Sequence, residues 1–133
     1  MSLKRKIITW LYIIYLLSVI TLLVLPFSAD LGMDEYIFGI RKDHYVHATM
    51  FLPFMGYFWI TNKAQQSKID FIKYYGLGIL FAACCESLHY FIPYRTFDIH
   101  DFFANVTGIS AGLLLFLFKS PKAFNQWSQS LPC

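Results

Sequence analysis

Residues 7–25, IITWLYIIYLLSVITLLVL, decide the structural class of this 133-residue chain. The stretch has no charged residue, follows the basic cluster Lys4-Arg5-Lys6 and stops at Pro26. A helix that crosses the bilayer core needs about 20 mostly apolar residues. A secretory signal has a shorter apolar run of roughly 7–15 residues before its cleavage site. The stretch therefore predicts an uncleaved transmembrane helix.

The rest of the chain has the same character, since 57% of all residues are hydrophobic and 14% are charged. Soluble domains carry about 25% charged residues. Three further apolar segments follow, at residues 44–61, 71–91 and 101–118. We therefore predict an all-α fold, a four-helix transmembrane bundle in one domain covering residues 1–133. Pro53 removes a backbone donor and crowds the carbonyl of Thr49, so we expect a kink in the second helix.

The basic residues predict the orientation of this bundle. Eight of the eleven lie on the side of the termini, and Arg41, Lys42 and Arg95 lie on the other. Because basic loops stay in the cytoplasm, both termini are predicted to be cytoplasmic. The eight are Lys4, Arg5, Lys6, Lys63, Lys68, Lys73, Lys119 and Lys122.

The acidic residues show the opposite bias, which insertion does not explain because Asp and Glu contribute little to orientation. Only Asp70 lies toward the cytoplasmic side. The outer side holds Asp30, Asp34, Glu35, Asp43, Glu86, Asp98 and Asp101.

A stripe of small residues predicts close helix packing. Ala104, Gly108 and Gly112 recur every four residues on the fourth predicted helix, and Gly78 and Ala82 do so on the third. Small residues allow helix backbones to approach closely in lipid. We expect the third and fourth helices to pack together through these residues.

Polar residues recur at helical spacing near the outer ends of the last three helices. Residues three or four apart share a helix face, and ionisable groups inside a membrane favour a functional site. A structural ion-pair network that fixes helix register is the alternative. The pairs are His44 with His47, Glu86 with His89, and Asp101 with Asn105, and Arg95 and Asp98 lie in the connection between the last two helices.

These motifs resemble the VanZ-like membrane protein family. The resemblance rests on DHYVH at 43–47, ESLH at 86–89, PYRTFD at 93–98 and DFFANVTG at 101–108. The family's shared polar positions then fall on Asp43, His47, Glu86, Arg95, Asp98, Asp101 and Asn105. His44 stands where the family usually has lysine, and His89 where it often has glutamine, so a site here would be more sensitive to pH.

The resemblance implies a role in the bacterial cell envelope, where the founding member lowers susceptibility to the glycopeptide teicoplanin. The predicted partners are the bilayer and a lipid-linked wall precursor or glycopeptide-related ligand. Arg95 is the expected anion partner, because a guanidinium grips phosphate with two parallel hydrogen bonds. The basic residues form no stripe, which argues against nucleic-acid binding.

Two other interpretations remain open. One is a membrane-embedded hydrolase, in which Glu86 or His47 acts as general base and Asp101 is poised by burial. The other is a structural bundle without a small-molecule site. No cofactor is predicted. The residues nevertheless include ligand types for zinc, at His44, His47, Glu86 and His89, with Asp101 nearby.

Overall fold

The computed structural model describes residues 3–25, 35–61 and 68–119, and within them nearly every residue is helical. The predicted all-α class and its four helices are confirmed, although the second helix is interrupted. Pro26, Asp30, Asp34, Lys63 and Lys122, which entered the predictions of span and orientation, lie outside the described residues. The elements are α1 (Leu3–Val24), β1 (Tyr36–Ile37), β2 (Ile40–Arg41), α2 (Lys42–Phe51), α3 (Gly56–Thr61), α4 (Lys68–Leu88) and α5 (Ile99–Lys119), with 3₁₀ turns at Leu52–Met55 and His89–Phe91.

Three of the helices are long and apolar enough to cross a membrane. They are Leu3–Val24, Asp70–Phe91 and Ile99–Phe118. Each carries large apolar side chains on its exposed surface, such as Leu17, Leu80 and Leu114. Such a surface is unfavourable in water and suits lipid. The chain is therefore a helical membrane protein, while a fourth crossing by residues 44–61 stays a prediction.

The second helix is broken at Pro53, as its position predicts. The backbone forms a 3₁₀ turn over Leu52–Met55, where hydrogen bonds run to the third preceding residue. Two tyrosines of α1 donate to carbonyl groups at the break: Tyr15 to Met50 at 2.7 Å and Tyr12 to Phe54 at 3.3 Å. A helix break within a membrane is tolerated when neighbours satisfy the backbone in this way.

The small-residue stripe of α5 packs against a different helix from the one expected. A Cβ atom added at Gly108 would lie 2.1 Å from the carbonyl oxygen of Ala48, and one at Gly112 would lie 2.1 Å from that of Leu52. These contacts join α5 to the second helix, not to the third. Gly78 of α4 faces the side chains of Phe54 and of Ile109 in α5, so the third and fourth predicted helices also pack together, as expected. The pairing differs because spacing identifies a close-packing face but not its partner.

A short hairpin precedes α2, which the sequence analysis did not predict. Tyr36 pairs with Arg41 and Ile37 with Ile40, around a turn in which Phe38 and Gly39 both have positive φ. Such a turn matches the twist of two antiparallel strands. Lys42 forms an ion pair with Glu35 at the base of the hairpin. Its hydrogen bond and positive charge hold the pKa of the Glu35 carboxyl below its ordinary range.

Aromatic side chains fill the half of the bundle that lies beyond Pro53, which we call the aromatic half. Phe58 is 1% exposed, and its ring centroid lies 4.3 Å from that of Tyr74 and 5.1 Å from that of Phe71. Tyr12 stacks on Tyr57 at 4.4 Å. This apolar packing holds the helices together and leaves their opposite ends to carry the polar groups.

Candidate functional site

The opposite end of the bundle is polar in its interior. The start of α2, the end of α4 and the start of α5 meet there, together with the 92–98 connection; we call this region the polar end. Six of its ionisable or amide side chains are buried, although such groups are rarely buried without a partner. They are Asp43, His47, Glu86, His89, Asp101 and Asn105.

Arg41 ties the start of α2 to the connection before α5. Its Nη2 lies 3.0 Å from Asp43 Oδ2, and its Nη1 lies 3.3 Å from Asp98 Oδ2. Asp98 also begins α5, because its Oδ1 accepts the backbone N–H of His100 at 2.9 Å, as a helix N-cap does. Both oxygens of Asp98 are therefore occupied, whereas Asp43 keeps Oδ1 for another contact.

Glu86 holds the same connection from the side of α4. Its Oε1 accepts the backbone N–H of Asp98 at 3.0 Å and lies 3.0 Å from Nδ1 of His89. Glu86 is 1% exposed and His89 is 2% exposed. The predicted Glu86–His89 pair is thus a direct contact on one helical face, and it fixes the loop that positions Asp98.

The two histidines of α2 face α5. His47 Nδ1 lies 3.1 Å from Asn105 Oδ1, and its Nε2 lies 3.6 Å from Asp43 Oδ1. His44 Nε2 lies 3.4 Å from Asp101 Oδ1. The tight packing of Gly108 against Ala48 brings these two helix faces close enough for the contacts.

Arg95 is anchored at the end of α1. Its Nη2 donates to the carbonyl of Leu25 at 2.9 Å, and the neighbouring Tyr94 hydroxyl donates to the carbonyl of Val24 at 3.2 Å. Carbonyls at a helix C-terminus have no donor in their own helix and attract positive charge. Within the described residues Arg95 forms no ion pair, and its buried Nε has no hydrogen-bond partner there.

A polar cavity of about 130 Å³ opens between these groups. Five of the nine predicted ligand-binding residues line it: Asp43, His89, Arg95, Asp98 and Asp101.

The other four predicted residues do not line the cavity but contact residues that do, or contact each other. His44 contacts Asp101, His47 contacts Asp43 and Asn105, and Glu86 contacts His89 and the backbone of Asp98. The sequence analysis missed Arg41, Tyr94 and Thr96 as lining residues. Arg41 was detectable, because it lies two residues before Asp43 at the start of a helix.

The predicted catalytic residues do not form one group. One ligand atom each from Asp43, His47 and Asp101 lie within 4.8 Å of one another, and the same holds for His44, Asp98 and Asp101. Glu86 belongs to neither group. The zinc-ligand candidates divide likewise: His44 and His47 fall in different groups, while Glu86 and His89 bind each other.

Comparison with known proteins adds a family to this class of helical membrane protein. A family model described as VanZ/LLP1 matches residues 9–120, a range that includes every residue of the polar end. The chain belongs to the VanZ/LLP1 family, as its motifs predict. No curated protein and no solved structure matches it.

Proposed function

We propose that this protein is a single-domain cell-envelope protein of the bacterial inner membrane, with four spans and both termini in the cytoplasm. The excess of basic residues on the side of the termini supports this orientation. Residues 42–61 are helical throughout, with one 3₁₀ turn in the middle. At 1.5 Å per residue their length is about 30 Å, which is sufficient to cross the hydrocarbon core. The polar end then faces the outer leaflet, where wall precursors and glycopeptides are found.

The proposed activity is the binding of an anionic group, such as a lipid phosphate, in the cavity of the polar end. The observation that supports it most directly is the difference in ion pairing between Arg41 and Arg95. Arg41 is held by two carboxylates, whereas Arg95 lines the cavity and forms no ion pair with a carboxylate within the described residues. A partly buried guanidinium with unused donors is a strong phosphate ligand, because it binds two oxygens in a fixed plane.

The size of the cavity indicates what part of a ligand it takes. Pockets for whole small molecules are roughly 300–1,000 Å³, and this one has about 130 Å³. It therefore suits one polar group of a larger molecule. A membrane lipid fits this description, since its chains stay in the bilayer while its headgroup enters the protein.

Lipid retention tests this proposal directly. Protein purified in mild detergent would be exposed to equal amounts of phosphatidylglycerol and phosphatidylcholine, and bound lipid measured by native mass spectrometry. We expect wild type to retain the anionic lipid preferentially and Arg95→Ala to lose that preference. Lys42→Ala is the matched control, because Lys42 is at the same end but pairs with Glu35 outside the cavity. An Arg95→Ala protein with unchanged preference would refute the assignment.

A cellular test asks whether the site affects teicoplanin susceptibility. A Gram-positive host would express wild type, Asp101→Ala or neither, with protein abundance in the membrane measured in parallel. We expect tolerance with wild type alone, because Asp101 lines the cavity and is 4% exposed. Equal tolerance for both proteins at equal abundance would exclude the cavity as the source of the phenotype.

A further inference from the structure

Three ionisable side chains of the polar end, two carboxylates and an imidazole, converge on one point. Nε2 of His47 lies 3.6 Å from Oδ1 of Asp43, and one ligand atom from each of Asp43, His47 and Asp101 lies within 4.8 Å of the other two. All three residues are buried. Two carboxylates at this distance repel each other strongly unless a proton or a cation lies between them.

The orientation of His47 leaves one ring nitrogen that suits a cation. Its Nδ1 lies 3.1 Å from Oδ1 of Asn105, an acceptor, and the neutral tautomer that satisfies this contact has its proton on Nδ1. The other nitrogen, Nε2, then presents a lone pair to the two aspartates. A histidine that binds a metal through one ring nitrogen usually donates the N–H of the other to a carbonyl or carboxylate oxygen. His47 has this arrangement.

The remaining contacts separate this group from its neighbour, which consists of His44, Asp98 and Asp101. Asp98 has both oxygens engaged, by Arg41 and by the backbone of His100. Asp43 has only Oδ2 engaged, and Arg41 holds it in place. Oδ1 of Asp101 is buried and has no hydrogen-bond partner within the described residues. Arg41 and Asn105 therefore orient the ligand atoms of Asp43 and His47 in the first group, while Oδ1 of Asp101 also lies 3.4 Å from Nε2 of His44.

The distance between the ligand atoms of Asp43 and His47 suits a small divalent ion. Zinc bonds of about 2.0 Å in a tetrahedral arrangement put ligand atoms roughly 3.3 Å apart, which is close to the 3.6 Å between Asp43 and His47. Three protein ligands leave one position for water or a ligand. Because Asp43 and Asp101 both line the polar cavity, that position faces the space next to Arg95.

We propose that Asp43, His47 and Asp101 bind a divalent transition-metal ion, with Zn²⁺ favoured because one ligand is an imidazole. The ion balances the charge of the two carboxylates, since Arg41 is shared between Asp43 and Asp98. It also gives the cavity a second positive centre beside Arg95, which favours an anion there. The metal site does not depend on the proposed headgroup binding, and each can fail without the other.

Metal binding to the purified full chain tests the site. Protein stripped with chelator would be titrated with Zn²⁺ by calorimetry, and retained metal measured by plasma mass spectrometry after dialysis. We expect about one zinc per chain, and affinity lowered by more than about 100-fold in Asp43→Asn and His47→Gln, because even indirect contacts to a metal contribute 10–100-fold. Asn105→Ala acts through His47 and should fall in that 10–100-fold range.

Control variants keep the outcome interpretable. Glu35→Gln removes a carboxylate outside the cavity and should bind zinc as wild type does. Arg95→Ala should lose the lipid preference but bind zinc at least as tightly, because a nearby positive charge is gone. Each variant is first checked for wild-type helix content and elution volume. Absence of zinc from folded wild type, or wild-type affinity in both folded Asp43→Asn and His47→Gln, would overturn the proposal.

Discussion

The two ends of this bundle differ in the chemistry of their interior side chains, which are aromatic at one end and ionisable at the other. In the aromatic half, the ring centroids of Phe71 and Tyr74 lie 5.1 Å and 4.3 Å from that of Phe58, and none of the buried charged side chains that the structure describes lies there. At the polar end, carboxylates and imidazoles occupy the same kind of interior position. Buried ion pairs contribute little to stability, because desolvation cancels most of their attraction. The contrast fits the binding role that we propose for the polar end, and it leaves the aromatic half to hold the bundle together.

Removal of a central ring should have the largest effect on stability, and this effect should arise in the aromatic half alone. Phe58→Ala leaves a cavity where a side chain is now 1% exposed, which costs of the order of 3 kcal/mol. Phe118→Ala is the control, since that ring is 77% exposed to lipid. Thermal unfolding in detergent measures both. Equal unfolding temperatures for the two variants would contradict the role of the aromatic half.

A smaller effect is expected where the two regions join. Gly108→Ala puts a methyl group 2.1 Å from the carbonyl oxygen of Ala48, so α2 and α5 must move apart. Overpacking of this kind costs about 1–3 kcal/mol. Gly76→Ala, whose new methyl group meets nothing within 4 Å, should be neutral or slightly stabilising. Zinc affinity should fall with Gly108→Ala, because His47 and Asp101 lie on these two helices, and unchanged affinity would weaken the link.

The smallest effect should come from the hydrogen bonds at the helix break. Tyr15→Phe removes the 2.7 Å bond to the carbonyl of Met50, at a cost of about 0.6–1.5 kcal/mol. Tyr12→Phe removes a longer bond of 3.3 Å and should cost less. The free energy of unfolding of each variant, measured in a mild detergent, shows which of the two loses more stability. The reverse order would show that the break is not stabilised mainly through Tyr15.

Much of this architecture follows from sequence, because the determining signals are local. Apolar runs predict helices, and the position of Pro53 predicts the interruption. Spacing of three or four residues predicts the Glu86–His89 contact, which the structure shows at 3.0 Å. These features depend on neighbours within one helix, so no knowledge of packing is needed.

Features that depend on tertiary packing were not predictable. The stripe of Gly108 and Gly112 identified a close-packing face but not the second helix as its partner. The lining role of Arg41 requires that Asp98, from a distant segment, lies within reach. The division of the zinc-ligand candidates into two groups depends likewise on which side chains the packing of α2 against α5 brings within 4.8 Å of one another.

The central claim is that the polar end is maintained for binding at the expense of stability. Its most direct test is the unfolding temperature of wild type and Asp101→Asn, each with chelator and with added Zn²⁺. Without metal, the variant should be as stable as wild type or more stable, because a buried carboxylate has become neutral. Zinc should raise the unfolding temperature of wild type only. A variant that is less stable in chelator, with no zinc response in wild type, would show that Asp101 is part of a structural network and contradict this account.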